Sequence, residues 1–369
     1  MKTIRFRNQS KMKIFLALCL ALAVTGCAAA PAAQTQSAPS QAEVTSENAP
    51  AASEESAAPA EESAAPTEES AEETALASLR IGSLKGPTSM GIADLHSRAE
   101  SGEAEGDYSF VMETEPAALA AALAGGDIDI ALLPANLAAI LYQKTQGAVA
   151  VANINTLGVL YCVTGEEEID SPEDLAGRTV LLTGQGATPE YALRTILEQY
   201  AVEDVTLEFR SEATEVAALL REDASQIAIL PQPFATAVLM QNEALHEAFS
   251  LEEAWAAMGD GSRLVTGVTL VRKSVAEEAP EAVALFLEEQ KNSVEAVLSD
   301  PQKAATQIVA QGILENEAMA AKALPACALT YMDGEEMKEA LSGYLETLWE
   351  QDAQAVGGAL PDEDFYGLP

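Results

Sequence analysis

The chain has 369 residues, with 58 acidic side chains against 20 basic ones, two histidines and four cysteines. That balance excludes nucleic acid as a partner, because a polyanion would be repelled and no basic, aromatic-interleaved stretch is present to track phosphates. Two histidines also leave no clustered zinc ligands and no histidine-based triad, so no metal, no cofactor and no catalytic residue is expected.

Residues 1–26 pair a basic segment (Lys2, Arg5, Arg7, Lys11, Lys13) with an apolar stretch from Ile14 to Val24. The stretch is too short for a stable bilayer span, and small residues precede Cys27, so the segment reads as a secretion signal cut before that cysteine. The ending Val24-Thr25-Gly26-Cys27 resembles the lipobox of bacterial lipoproteins, which implies a diacylglycerol on the Cys27 thiol and an acylated amino terminus. Several acyl chains hold a protein on a membrane firmly, so the expected place is the outer face of the cell membrane, without a spanning helix. Five of the 20 basic residues and none of the 58 acidic ones precede Cys27, leaving the mature chain at a net −43, a charge that keeps a surface protein soluble.

Residues 27–77 comprise the lipidated cysteine and a linker of Ala, Pro, Ser, Thr, Gln and Glu, in which Glu-Glu-Ser-Ala recurs from Glu54, Glu61 and Glu68. Its prolines break helices and its like charges repel, so it reads as a disordered spacer. Cys19 leaves with the signal, so only Cys162 and Cys327 remain; Cys162 reads as a core thiol, and a bridge between the two is left open.

From Ser78 onward the chain alternates strand and helix and is long enough for two lobes, expected at 78–165 plus 263–369 and at 166–262. Strands are predicted at Leu79–Leu84, at Tyr108 to Met112, and at Ile128–Leu133, with a helix that Pro116 opens and Gly125-Gly126 closes. A second round follows: Thr179–Leu182, a helix from Pro189, Val205–Phe209, a helix around Glu215 to Leu220, and Ile227–Leu230. Single helices between strands require crossovers, so the fold class is α/β with mostly parallel sheets and helices on both faces. The β-rich runs 148–164 and 264–272 read as two strands that join the lobes as a hinge, and the helical tail, Glu281–Leu298, Pro301–Ala310 and Glu335–Glu350, should pack on the first lobe.

Ligands of open α/β sheets sit beyond the carboxyl ends of strands, where helix amino termini present free N–H groups. Four strand-to-helix corners qualify. The first offers Ser83, Lys85, Gly86, Thr88 and Ser89; the second Pro134 and Asn136; the third Gly184, Gly186, Ala187 and Thr188; the fourth Gln232 and Phe234. Lys85 is the lone cation and no corner holds an Arg, so the ligand leans only slightly to an anion or zwitterion. The glycine spacing lacks the trailing Gly-Lys-Ser/Thr of a phosphate-binding loop, which argues against nucleotide hydrolysis.

The order of these segments is similar to that of the extracytoplasmic substrate-binding proteins of ATP-driven importers, in the group that includes sulfonate- and thiamine-precursor-binding proteins. The resemblance rests on the Ser83–Gly91 loop, Gly126–Ala131, Ser171–Val180 before the Thr188-Pro189-Glu190-Tyr191 helix, and the closing Val356–Pro361. It implies a type II periplasmic-binding-protein-like flytrap, monomeric, that closes on a small molecule and delivers it to an ABC permease and its ATPase. Relatives on this architecture include a thiamine-pyrimidine synthase and menaquinone-pathway enzymes, so an enzyme is the alternative. A solute sensor without transport is a third. The corners hold hydroxyls, amides and one Lys, and His96 and His246 fall in helical, polar surroundings, so binding is favoured over catalysis.

Overall fold

The computed structural model describes residues 77–166 and 168–369. The expected signal 1–26, the expected lipidation site Cys27 and the expected linker up to residue 76 lie outside the described residues. Among the described residues eleven strands form: β1 (Leu79–Leu84), β2 (Tyr108–Glu113), β3 (Ile130–Pro134), β4 (Val149–Leu157), β5 (Leu160–Thr164), β6 (Thr179–Leu182), β7 (Thr206–Phe209), β8 (Ile227–Pro231), β9 (His246–Ser250), β10 (Val265–Arg272) and β11 (Leu329–Met332). They build a six-stranded sheet in the order β11-β4-β10-β3-β1-β2 and a five-stranded sheet in the order β7-β6-β8-β5-β9.

Both sheets are mixed, which corrects the expectation of mostly parallel ones. The strands joined by single helices are parallel as expected, β2-β1-β3 in one sheet and β7-β6-β8 in the other. The remaining strands, β10, β4 and β11 in the first sheet and β5 and β9 in the second, pair antiparallel. These include the strands by which the chain passes between sheets, and no crossover helix constrains their direction. β4 is buried at all nine positions, although Asn153, Asn155 and Thr156 among them are polar.

The chain leaves the first sheet at Gly158-Val159, because β5 already pairs with β8 and β9 of the second. It returns after the helix Leu251–Ala256 by entering β10 at Val265. The two crossings touch: a Cβ on Gly158 would lie 2.8 Å from a Leu264 methyl and 2.9 Å from Glu252 Cβ, so only glycine permits the approach.

Helix ends follow local chemistry. The helix Pro116–Gly125 begins on its proline and ends on Gly126 at φ 81°, and Pro280–Ser299 and Pro301–Ala310 also begin on proline. The helix Gly334–Gln351 packs not on the first sheet alone, as expected, but also on the helix Thr188–Gln199 of the second, where Tyr344 approaches Thr188 and Gln351 donates to the Tyr191 carbonyl at 3.1 Å. One apolar core therefore runs from Val151 and Ile154 through Tyr344 and Trp255 to Leu182 and Ile196. The Trp255 and Tyr344 rings meet edge to face, centroids 5.9 Å apart, and burial of each large side chain contributes about 2–3 kcal/mol. Cys162 and Cys327 are both free and buried; burial pushes the Cys162 thiol well up and that of Cys327 up to about 12.

Candidate functional site

At the first corner the hydroxyls turn inward. The Leu84 carbonyl accepts from Thr88 Oγ1 at 3.1 Å and from Ser89 Oγ, which in turn lies 2.8 Å from Ser83 Oγ, and all three side chains are buried. Gly86 caps the short helix Pro87–Met90. Lys85 is exposed, its backbone N–H donating to the Glu113 carbonyl at 2.9 Å.

The Thr88 side chain reaches the crossing strands. A Cβ on Gly267 would sit 2.6 Å from Asn155 Oδ1, 2.7 Å from Thr88 Cγ2 and 3.4 Å from Thr156 Cβ, so these three polar residues converge on one backbone position that has no room for a side chain. Asn155 and Thr156 were not foreseen as site residues. Their signal was two polar residues in succession, Asn155 and Thr156, at the end of a run otherwise read as hinge strand.

The fourth corner meets the same segment. Gln232 N–H donates to the Val159 carbonyl at 2.9 Å, across a cis Gln232–Pro233 bond from the helix Phe234–Gln241. The Gln232 side chain is 3% exposed. Its Oε1 accepts from the Thr236 N–H at 3.2 Å and from Thr236 Oγ1 at 2.8 Å, which fixes the orientation of the amide, and its Nε2 is buried with no hydrogen-bond partner among the described residues. Phe234 packs half-buried beside the cluster of Tyr161, Val163 and Leu230. The first and fourth corners thus both abut residues 155–159.

The second and third corners are engaged by the carboxyl-terminal segment instead. Asn136 Nδ2 donates to the Ala355 carbonyl at 3.5 Å, beside a half-buried Pro134. Thr188 Oγ1 lies 3.5 Å from the hydroxyl of the fully buried Tyr344, whose pKa burial pushes up to about 12. The Gly186 N–H donates to Glu190 Oε2 at 2.8 Å, so this loop donor already serves its own helix. Burial alone would raise the Glu190 carboxyl, but the Gly186 N–H and the Arg194 guanidinium hold it below the usual range. Ala187 is exposed, and Gly184 lies against the Pro189 ring. Tyr191 faces the tail, its hydroxyl donating to Asp352 at 3.1 Å.

Glu252, 7% exposed, clamps the two crossings together. Its carboxylate accepts from Arg263 Nε at 2.5 Å and from the Leu264 N–H at 2.9 Å, and its Cβ packs against Gly158 of the other crossing. Burial raises its pKa against the pull of Arg263.

The histidines depart from expectation. His246 opens strand β9, and His96 is half-buried, stacked on Phe110 with ring centroids 4.4 Å apart. His96 lines a small cavity of about 20 Å³ with Ser83, Ser89, Phe110 and Gln311, and burial lowers its pKa. Among the described residues no group of three His, Cys, Asp or Glu could hold a metal ion, and no helix is long and apolar enough to cross a membrane.

Solved structures with the same fold include an ABC transporter protein from Parabacteroides distasonis, at 22% identity over 79% of this chain and 98% of that one with a TM-score of 0.67. The periplasmic aliphatic sulphonate binding protein SsuA of Escherichia coli matches at 15% identity over 77% of this chain and 92% of its own, TM-score 0.60. The alkanesulfonate-binding SsuA of Xanthomonas axonopodis pv. citri, bound to MOPS, matches at 16% over 79% and 97%, TM-score 0.56. At these identities the likeness establishes the α/β periplasmic-binding-protein fold. No curated protein sequence matches the chain significantly. The sequence model described as menaquinone biosynthesis matches residues 89–348, more than half of the chain. The chain therefore belongs to the menaquinone biosynthesis family, on the fold it shares with the binding proteins of ABC importers.

Proposed function

We propose that this protein is a solute-binding lipoprotein: anchored through Cys27 on the outer face of the bacterial cell membrane, it takes a small molecule between the strand ends of two lobes and hands it to an ABC permease. The lobes comprise roughly 78–158 with 264–369, and 159–263, because β5 pairs within the second sheet, and they join at the Gly158 and Leu264 crossings. One observation carries the reading most. The polar groups along the crossings, Thr88, Asn155 and Thr156 around Gly267 and Gln232 beside Val159, are neutral hydroxyls and amides, and the buried Gln232 donor has no partner among the described residues. Such groups hold a solute by hydrogen bonds, whereas proton transfer needs a side chain that titrates near the working pH. Contacts from both sheets would make closure favourable only with solute in place.

A second reading, an enzyme of menaquinone biosynthesis on the same fold, is favoured by the family match and by His96, a titratable group beside Ser83 and Ser89. Deletion of the gene separates the two. Unchanged cellular menaquinone, with loss of uptake of one solute restored by the wild-type gene, is expected; a menaquinone deficit restored by the wild-type gene would establish the enzyme. Replacing Cys27 with Ser should abolish acyl labelling and release the protein from the membrane, and retained labelling would remove the anchor from the proposal.

A further inference from the structure

We infer that the solute is a neutral small molecule bearing an amide-type pair, a carbonyl acceptor beside an N–H donor, and that Gln232 selects it. This rests on the solute-binding reading and narrows it to a chemical class.

The argument is an inventory of protons. The Leu84 carbonyl takes those of Thr88 and Ser89, Gln232 Oε1 takes that of Thr236, and Asn155 Oδ1 takes that of Thr156 at 2.9 Å. What these hydroxyls have left to offer a solute is lone pairs. Among the described residues the one side-chain nitrogen of this group without any partner is Gln232 Nε2, and it cannot be exchanged with Oε1 by rotating the amide, because the Thr236 N–H would then face an amide NH₂. A buried donor without an acceptor costs about 1–3 kcal/mol, so a solute that supplies the acceptor recovers that energy on binding.

Anions fit this inventory poorly. A sulfonate or carboxylate offers acceptors only, and against the lone pairs of Thr88 and Thr156 it would meet repulsion rather than bonds. Anion recognition also needs a buried cation or a set of free N–H groups. Lys85 is exposed, and the Gly186 N–H is already taken by Glu190. A lactam, ureide or primary amide fits: its carbonyl accepts from Gln232 while its N–H donates to a hydroxyl oxygen. The class departs from the sequence-based lean to an anion, which rested on Lys85 and the partial positive charge of the helix amino termini.

The test uses the mature, full-length protein in detergent with two matched panels: neutral amides (uracil, hydantoin, 2-pyrrolidone, nicotinamide, allantoin) and anions (MOPS, taurine, methanesulfonate, nicotinate, orotate). Titration calorimetry and thermal shift are read at low and high salt. Binding of at least one neutral amide, independent of ionic strength, is expected, with affinity lowered roughly tenfold or more in Gln232→Leu and in Gln232→Met. The thermal midpoint of each variant without solute shows that it is folded, and the panel comparison in wild type decides the class whatever the variants do. Binding confined to the anions overturns the class while leaving the solute-binding reading intact. No binding in either panel overturns the class as well, and the menaquinone content of the deletion strain then decides the reading beneath it. A neutral amide bound equally well by wild type and both variants removes Gln232 from the assignment.

Discussion

Two buried amide clusters lie in this molecule, one in each sheet, and they differ in a single respect. In the first sheet Thr269 Oγ1 donates to Asn153 Oδ1 at 3.0 Å and accepts from Gln290 Nε2 at 2.8 Å and Asn155 Nδ2 at 3.1 Å, while Asn153 Nδ2 donates to Gln290 Oε1 at 2.9 Å. The ring closes on itself. At the fourth corner of the second sheet Gln232 completes its acceptor side with Thr236 and leaves its donor open. Closed networks in a low dielectric rigidify what they join, here the crossing strands and the helix Pro280–Ser299. An open donor costs stability in the empty protein, and a site that will receive a solute is where such a cost is tolerated.

The largest effect should come from breaking the closed ring. Thr269→Val keeps the shape but removes the hydroxyl, leaving Asn153 Oδ1, Gln290 Nε2 and one Asn155 proton without partners. At about 1 kcal/mol or more for each, the loss is roughly 3 kcal/mol, or on the order of 10 °C in the unfolding midpoint. Urea unfolding measures it, and a loss below about 1 kcal/mol would mean that the ring is not acting as a unit.

Gly267→Ala strikes the junction between the clusters and should come next. Its methyl would press on Asn155 Oδ1 and Thr88 Cγ2, and the backbone of β10 and β4 must separate to admit it. Overpacking of this kind costs about 1–3 kcal/mol and should also weaken solute binding, since both site residues shift. Unaltered affinity in a folded Gly267→Ala protein would place the solute away from Thr88.

How much of this was legible beforehand follows from the range of the interactions. Helix starts at Pro116, Pro280 and Pro301 are local events, and the sequence displays them. The four corners were visible for the same reason, each being a strand end, a small or amide residue and a helix start. Asn155 and Thr269 are 114 positions apart, and neither the antiparallel pairing of β4 with β10 that joins them nor the bulges in it leave a mark on local periodicity. The use of Asn136 by the Ala355 carbonyl, 219 positions away, was invisible likewise. Lys85 shows the opposite case: its charge is conspicuous in the sequence, while its exposure is set by the fold.

Glu252 gives a smaller effect with a definite sign in pH. Its folded pKa lies above the ordinary glutamate value of 4.5, chiefly through burial, so the folded state holds this proton more tightly than the unfolded chain. Its contribution to stability therefore grows as pH falls from above the folded pKa toward 4.5, and is lost as pH rises through that pKa. Asp94 and Asp129, whose pKa values are lowered from 3.8, act in the reverse sense and only below that pH. Glu252→Gln should flatten the slope of the unfolding midpoint between pH 7 and pH 4.5, leaving a residue from Glu247, which burial also raises. Identical slopes in variant and wild type would show that the clamp does not titrate in this window.

The smallest effect is expected at the open donor itself, and it sharpens the comparison most. Gln232→Leu removes an acceptor that serves the Thr236 N–H, one of the unpaired donors in the first turn of the helix Phe234–Gln241, and loss of such a cap costs about 1 kcal/mol. The same change deletes a buried, unpartnered donor, which returns a similar amount, about 1–3 kcal/mol. The two nearly cancel, so the empty variant should unfold within about 1 kcal/mol of wild type, on either side. Both changes replace one buried polar side chain by an apolar one of similar size, yet Thr269→Val should cost several times more than Gln232→Leu. Equal, large losses at the two positions would show that Gln232 Nε2 has a partner in the folded protein, and that its amide is structural in the way that Gln290 is.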